Sequence, residues 1–147
     1  MENTKDDKYY MQCALAEAKL AYESDEVPIG AVVVLDGVII AKAHNLVDRL
    51  SDPTAHAEMQ AITSAANHIG GKYLTDCTIY VTVEPCPMCA AALSWAQIAR
   101  VVYGTSEPKR GYTTISPKLL HPKTKVTTGV CGDECSELMT TFFKKLR

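Results

Sequence analysis

Ala31-Val32-Val33-Val34-Leu35-Asp36-Gly37-Val38-Ile39-Ile40-Ala41 is the stretch from which the fold can be read. Two β-branched runs separated by Asp-Gly predict a hairpin. Neither run alternates apolar with polar residues, so both strands are expected to be covered on both faces. Upstream, Met11, Leu15, Ala18 and Tyr22 recur at helical spacing and predict a helix over Lys8–Ser24, ended by Val27-Pro28. Downstream, His44–Pro53 is polar and loop-like. A second helix is predicted from Ala55 to Ile69, stopped by Gly70-Gly71. Thr78–Val83 reads as a strand, broken by Pro85-Cys86-Pro87, and Met88–Gln97 as an alanine-rich helix. Arg100–Gly104 is a further strand, Ser106–Lys125 is polar with three prolines, and Val126–Val130 is an edge-strand candidate. Asp133–Lys145 carries acids in its first turn and lysines in its last, as a terminal helix would to match its dipole. A hairpin followed by alternating strands and helices predicts a layered α/β domain with a mixed sheet.

The 147 residues have the size of one domain, expected to span 1–147. Hydrophobic content of 47% with 22% charged residues is ordinary for a globular protein, which excludes disordered and fibrous classes. Met1–Asp7 is polar and lacks the apolar core of a signal peptide, and no apolar run is long enough to span a bilayer. The expectation is a soluble, cytoplasmic protein without a membrane partner. In that setting six cysteines read as thiols or metal ligands rather than disulfides.

Two short motifs carry the chemistry: His56-Ala57-Glu58 and Pro85-Cys86-Pro87-Met88-Cys89. One imidazole and two thiolates suit a catalytic zinc, which takes three protein ligands and keeps a fourth position for water. Glu58 then supplies the proton-carrying carboxylate that such a water needs. Each motif lies where the chain enters a helix, and the positive end of a helix favours thiolates at Cys86 and Cys89. Residues two apart on a helix do not share a face. His56 and Glu58 can therefore serve one cavity only if it lies beyond the helix end. Cys86 and Cys89 could instead form half of a structural zinc knuckle, with Cys131 and Cys135 as the other half, but that leaves His56 and Glu58 without a purpose. Cys13 and Cys77 read as core thiols, and His44, His68 and His121 as surface or cap histidines.

The motif pair resembles the signature of the zinc-dependent cytidine deaminase superfamily. A closer resemblance, to the bacterial tRNA adenosine deaminases, rests on Val27–Val34, His44-Asn45, Asp52–Glu58, Thr78–Cys86, Arg100–Gly104, Glu134–Leu138 and Phe142-Phe143. It implies a three-layer α/β/α fold with a central mixed sheet of about five strands. It also implies one Zn2+ per chain held by His56, Cys86 and Cys89, with Glu58 as proton shuttle, a homodimer, and a wobble adenosine of a tRNA anticodon stem-loop as substrate, converted to inosine. Asn45 matches the position that hydrogen-bonds the flipped-out base, and Ala57 one whose backbone contacts it. Ile29 and Glu107 fall at further substrate-pocket positions. The chain departs from the family after Gly104, where Thr105–Tyr112 lacks the usual glycine pattern and Glu107 takes the acidic place. Guanine deaminases share both zinc motifs, so a free base is the alternative substrate.

Charge is distributed unevenly. Residues 1–99 hold six Lys and Arg against thirteen acids, a net of −7; residues 100–147 hold nine against four, a net of +5. A basic C-terminal third can grip phosphates on an acidic body. Lys109, Arg110, Lys144 and Lys145 are the candidate RNA-backbone contacts.

Overall fold

The computed structural model describes residues 5–146; Met1–Thr4, most of the polar N-terminal stretch, and Arg147 lie outside the described residues. In chain order the elements are α1 (Asp7–Glu23), β1 (Gly30–Leu35), β2 (Val38–His44), α2 (Val47–Leu50), α3 (Ala57–Ile69), β3 (Cys77–Val83), α4 (Pro87–Trp95), β4 (Arg100–Thr105), β5 (Lys125–Thr128) and α5 (Gly132–Lys145). Two 3-10 turns, Tyr112–Thr114 and Pro117–Leu119, occupy the proline-containing stretch between β4 and β5.

The strands form one mixed sheet in the order β2-β1-β3-β4-β5. The hairpin partners β1 and β2 are antiparallel, as are β1 and β3, whereas β3, β4 and β5 run parallel. Helices cover both faces. Met11, Ala14 and Leu15 of α1 and Cys135 of α5 pack with Val32, Tyr80 and Val102 on one side. Ala57, Ala61 and Ala65 of α3 and Ala90 and Leu93 of α4 pack with Val33, Ile79, Val81 and Val101 on the other. Alternate residues of the same strands feed the two cores, which is why the central runs show no polar alternation. The alanines bring α3 and α4 close to the sheet, and no glycine is needed for that approach. On the opposite face Gly30 does that work: a Cβ there would meet the Ala14 carbonyl at 2.1 Å.

Two expectations need correction. The second hairpin strand is not covered on both faces, because β2 is the sheet edge; Val38 is 60% exposed. The 44–53 segment is not all loop, since it holds the single helical turn α2.

The edge of the sheet away from the helix starts of α3 and α4 is tied by one ionic network. Arg100 donates to both carboxylate oxygens of Asp7 (2.8 and 2.6 Å), while Tyr80 donates to Asp7 Oδ1 (2.7 Å). Arg100 also donates to Thr127 Oγ1 at 2.9 Å, so the first turn of α1, β3, β4 and β5 share one cluster. The Arg100 hydrogen bonds hold the Asp7 carboxyl below its ordinary value of 3.8, against the opposing effect of partial burial. A depressed acid stabilises the fold above its unfolded-state pKa and loses that contribution as pH falls through its folded value. Asp7→Asn is therefore expected to lower the thermal midpoint at pH 7. The gap to the unmodified protein should close as pH drops below 3.8, measured by thermal melts across the acid range.

Candidate active site

The chemistry lies at one end of the sheet, where β2, β3 and β4 finish and β1 begins. Crevices outside the carboxyl ends of parallel strands are the usual ligand sites of such sheets. His56 is the N-cap of α3 and Cys86 the N-cap of α4, both in extended conformation. Neither side chain caps its own helix. Each therefore leaves along the helix axis rather than around its side. Cys89 stands in the first turn of α4 and Glu58 in the first turn of α3. This meets the demand posed by residues two apart: the cavity lies beyond the helix ends, and Ala57 lies between His56 and Glu58 at its floor.

The Nδ1 of His56 is 3.6 Å from Cys86 Sγ and 3.5 Å from Cys89 Sγ, and all three donor atoms lie within 4.8 Å of one another. A tetrahedral ion with bonds of ~2.0–2.3 Å keeps neighbouring ligand atoms roughly 3.5–3.8 Å apart. The spacing thus admits such an ion with little adjustment. Among the described residues this is the one group of three or more His, Cys, Asp or Glu side chains so placed. Cys131 belongs elsewhere, bonded by Gln12, and Cys135 packs against Gly104, so the knuckle arrangement does not form. Cys77 is buried and Cys13 packs against the α1-side core, as expected of core thiols. His44 pairs with Glu17 at 3.1 Å, His121 accepts from the Lys123 N–H, and His68 is exposed on the last turn of α3.

Electrostatics distinguish the members. Cys89 donating toward Cys86 pulls the Cys86 thiol down to about 4, and the same bond pushes Cys89 up. Contact with Cys86 raises His56. Glu58 is 3% exposed, and burial lifts its carboxyl to about 7. Its Oε1 is the one buried side-chain oxygen or nitrogen among the described residues without a hydrogen-bond partner. An unpaired buried acceptor is costly, and natural structures keep one where a ligand or a reacting proton completes it. The donor set and this orphan oxygen together fit a metal with a bound water.

The cleft has a volume of about 680 Å³ and brings together His56, Glu58, Cys86, Asn45, Ala57, Ile29, Glu107, Lys109 and Arg110. Lys144 and Lys145 are not among its lining residues. Lys145 instead pairs with Asp25 at 3.0 Å and lies 4.3 Å from the centre of the Tyr22 ring. Glu26, Glu84, Met139 and Phe143 also line the cleft, a place to which sequence reading assigned none of them. The two glutamates are the more telling, because each is buried, and Glu84 is the single acid in the run Thr78–Met88.

Residues 4–105 match the family described as the cytidine and deoxycytidylate deaminase zinc-binding region. Fold and site thus define a deaminase of that class. The chain is 44% identical to the tRNA-specific adenosine deaminase of Aquifex aeolicus, over 95% of both chains. It is 43% identical to a structure solved in studies of A-to-I editing by tRNA:A34 deaminases at the wobble position of transfer RNA. That match has a TM-score of 0.82 and covers 88% of this chain and 98% of the other. A guanine deaminase from Bacillus subtilis is 34% identical with a TM-score of 0.69, over 80% of this chain and 79% of that one. The chain belongs to the tRNA-specific adenosine deaminase family.

Glu26 explains how the wall carrying Asn45 is held. It is 1% exposed and accepts from the Asp48 N–H (3.1 Å) and the Arg49 N–H (2.7 Å) at the start of α2. Removing a buried acceptor leaves those donors unpaired, at about 1–3 kcal/mol. Glu26→Ala is expected to lower stability by that order and to speed hydrogen exchange at Asp48 and Arg49, with α3 amides unaffected. Unchanged exchange there would show that the turn stands without Glu26.

Proposed function

We propose that this chain, as a single domain over 1–147, binds one zinc ion through His56, Cys86 and Cys89. In our reading it deaminates adenosine to inosine at the wobble position of a tRNA anticodon stem-loop. The observation that carries the reading is the unpartnered, buried Glu58 oxygen beside three metal-type donors. The choice of substrate is supported by the higher identity to the tRNA-specific relative (44%) than to the guanine deaminase (34%). Zinc in such a site lowers the pKa of a bound water from ~15.7 toward ~7 and so supplies a nucleophile at neutral pH.

The protein's own groups do the rest. Glu58, buried and with one oxygen free of partners, can both accept and release protons. It takes a proton from the attacking water and delivers it to the ring nitrogen beside the carbon that carries the amine. As the carbon–nitrogen bond breaks, Glu58 passes the second water proton to the departing ammonia. One water is consumed and one ammonia released, with a carbon–oxygen bond replacing the carbon–nitrogen bond. Asn45 and the Ala57 backbone orient the base, with Ile29 and Glu107 bounding the pocket. An unpaired loop base is the least costly to extrude into such a cleft. Lys109 and Arg110 at its rim favour the phosphate backbone.

The protein is read as a homodimer. Trp95 at the end of α4 is 84% exposed and Ile115, after the 3-10 turn packed on α4, is 68% exposed; apolar surface of this kind marks an association face. A tRNA substrate puts the enzyme in the cytoplasm, and no helix among the described residues is long and apolar enough to cross a membrane.

Elemental analysis is expected to find about one zinc per chain, lost in Cys86→Ala and Cys89→Ala and kept in Cys131→Ala. Glu58→Gln should keep both zinc and fold while deamination drops by ~10² to 10⁴, the typical worth of acid–base catalysis. Turnover preserved in zinc-loaded Glu58→Gln would remove Glu58 from the chemistry.

Stem-loop affinity should fall with salt, with a log–log slope of about −0.7 per phosphate contact. Replacing Lys109 and Arg110 by Gln should flatten that slope and leave zinc in place. Ammonia release from a stem-loop compared with free guanine decides the substrate. Fast turnover of guanine with an inert stem-loop would overturn the tRNA assignment.

A further inference from the structure

Glu84 sits between the last residue of β3 and the Pro85-Cys86 turn, and it is 5% exposed. Unlike Glu58, it has partners for its carboxylate. Oε1 accepts from the Glu107 N–H at 3.0 Å; Oε2 accepts from the Thr113 N–H at 3.0 Å and the Thr113 hydroxyl at 2.6 Å. The backbone repeats the connection: the Glu84 N–H donates to Thr105 O, and the Tyr112 N–H donates to Pro85 O, both at 2.8 Å. Tyr112, 3% exposed, anchors the same segment in the α3–α4 core.

These donors bracket a particular set of residues. Glu107, Lys109 and Arg110 line the cleft, and they stand between the two ends that Glu84 holds. Inside the loop, the Gly111 N–H closes on Glu107 O (2.9 Å) and the Lys109 N–H on Glu107 Oε1 (2.9 Å). Gly111 passes directly over the carboxylate. A Cβ at that position would lie 2.2 to 2.5 Å from three atoms of the Glu84 carboxyl group, so only glycine lets the two meet.

We propose that Glu84 is a positioning residue: it sets where the loop 106–113 presents Glu107, Lys109 and Arg110, and thereby the affinity for the nucleic-acid substrate. This rests on the tRNA reading above. A carboxylate that merely filled a hole would not have its donors at both ends of a cleft-lining loop. Glu84→Gln turns one acceptor oxygen into an amide donor that faces the loop's own N–H groups. Gly111→Ala displaces the carboxylate from the other side. Both substitutions break the same junction.

The test uses the full-length, zinc-loaded protein and an anticodon stem-loop. The unmodified protein is assayed first; an inert stem-loop would end the substrate reading and this inference with it. With an active stem-loop, Glu84→Gln and Gly111→Ala should each raise KM about tenfold or more, the size expected for one lost buried hydrogen bond to a charged group. The change in kcat should be smaller, and one zinc per chain should remain. Hydrogen exchange at Glu107 and Thr113 should accelerate in both. The double variant should be no worse than the more severe single one, because residues acting through one contact are not additive. Thr113→Val removes only the hydroxyl donor and keeps the fold, so it reads the same KM effect in milder form if the larger changes impair folding. Unchanged KM in all variants, or loss of zinc and kcat with KM intact, would overturn the proposal and assign Glu84 to the Cys86 turn instead.

Discussion

Everything at the site depends on two helix N-termini meeting over the end of one sheet. A helix start offers free N–H groups and a positive dipole end, and its cap residue has extended backbone. Here the caps are a histidine and a cysteine, residues that do not usually cap. The cost of poor capping is offset by the direction it gives their side chains, outward along the axes to a shared point. Antiparallel β1–β3 pairing and parallel β3–β4 pairing put the start of β1 and the ends of β3 and β4 at that same edge. The sheet therefore supplies the walls, and the two helices supply the floor.

Three buried glutamates around this point divide the labour by how well they are satisfied. Glu26 and Glu84 accept hydrogen bonds from loop backbones and hold opposite walls of the cleft. Glu58 keeps one oxygen unpartnered beside the His56, Cys86 and Cys89 cluster. The same residue type anchors loop backbones in two places and keeps an oxygen open in the third. What differs is the supply of donors, because a carboxylate with its lone pairs occupied has no capacity left for a reacting proton. The cleft lining carries both signs, with Lys109 and Arg110 standing beside Glu107 on the loop after β4.

The opposite edge of the sheet works independently. The Asp7–Arg100–Tyr80–Thr127 network joins α1 to β3, β4 and β5 at the far ends of these strands. Its ion pair is partly exposed, so its value lies in tying four elements into one register rather than in the strength of a single pair.

Local signals in the sequence determined the hairpin and the longer helices and strands along the chain, because turn chemistry, β-branched runs and helical periodicity act over a few residues. They also determined the reactive set: an imidazole, two thiols and a carboxylate have few uses together, so His56, Glu58, Cys86 and Cys89 were legible from residue type and spacing. Four features were decided only by tertiary structure. Val38–Ala41 looks like a covered strand but lies at the edge, because β1 takes β3 as its other partner, across 42 to 50 residues. Lys145, read as a phosphate contact, folds back onto Asp25 and Tyr22. Val47–Leu50 becomes a turn of helix because Glu26, more than 20 residues away, receives its first N–H groups. Glu84 and Thr113 lie 29 residues apart, and nothing in either local sequence announces that they meet. Charge and composition are carried by the residues themselves, whereas a buried acceptor's partners are set by which chain segments the fold brings past it.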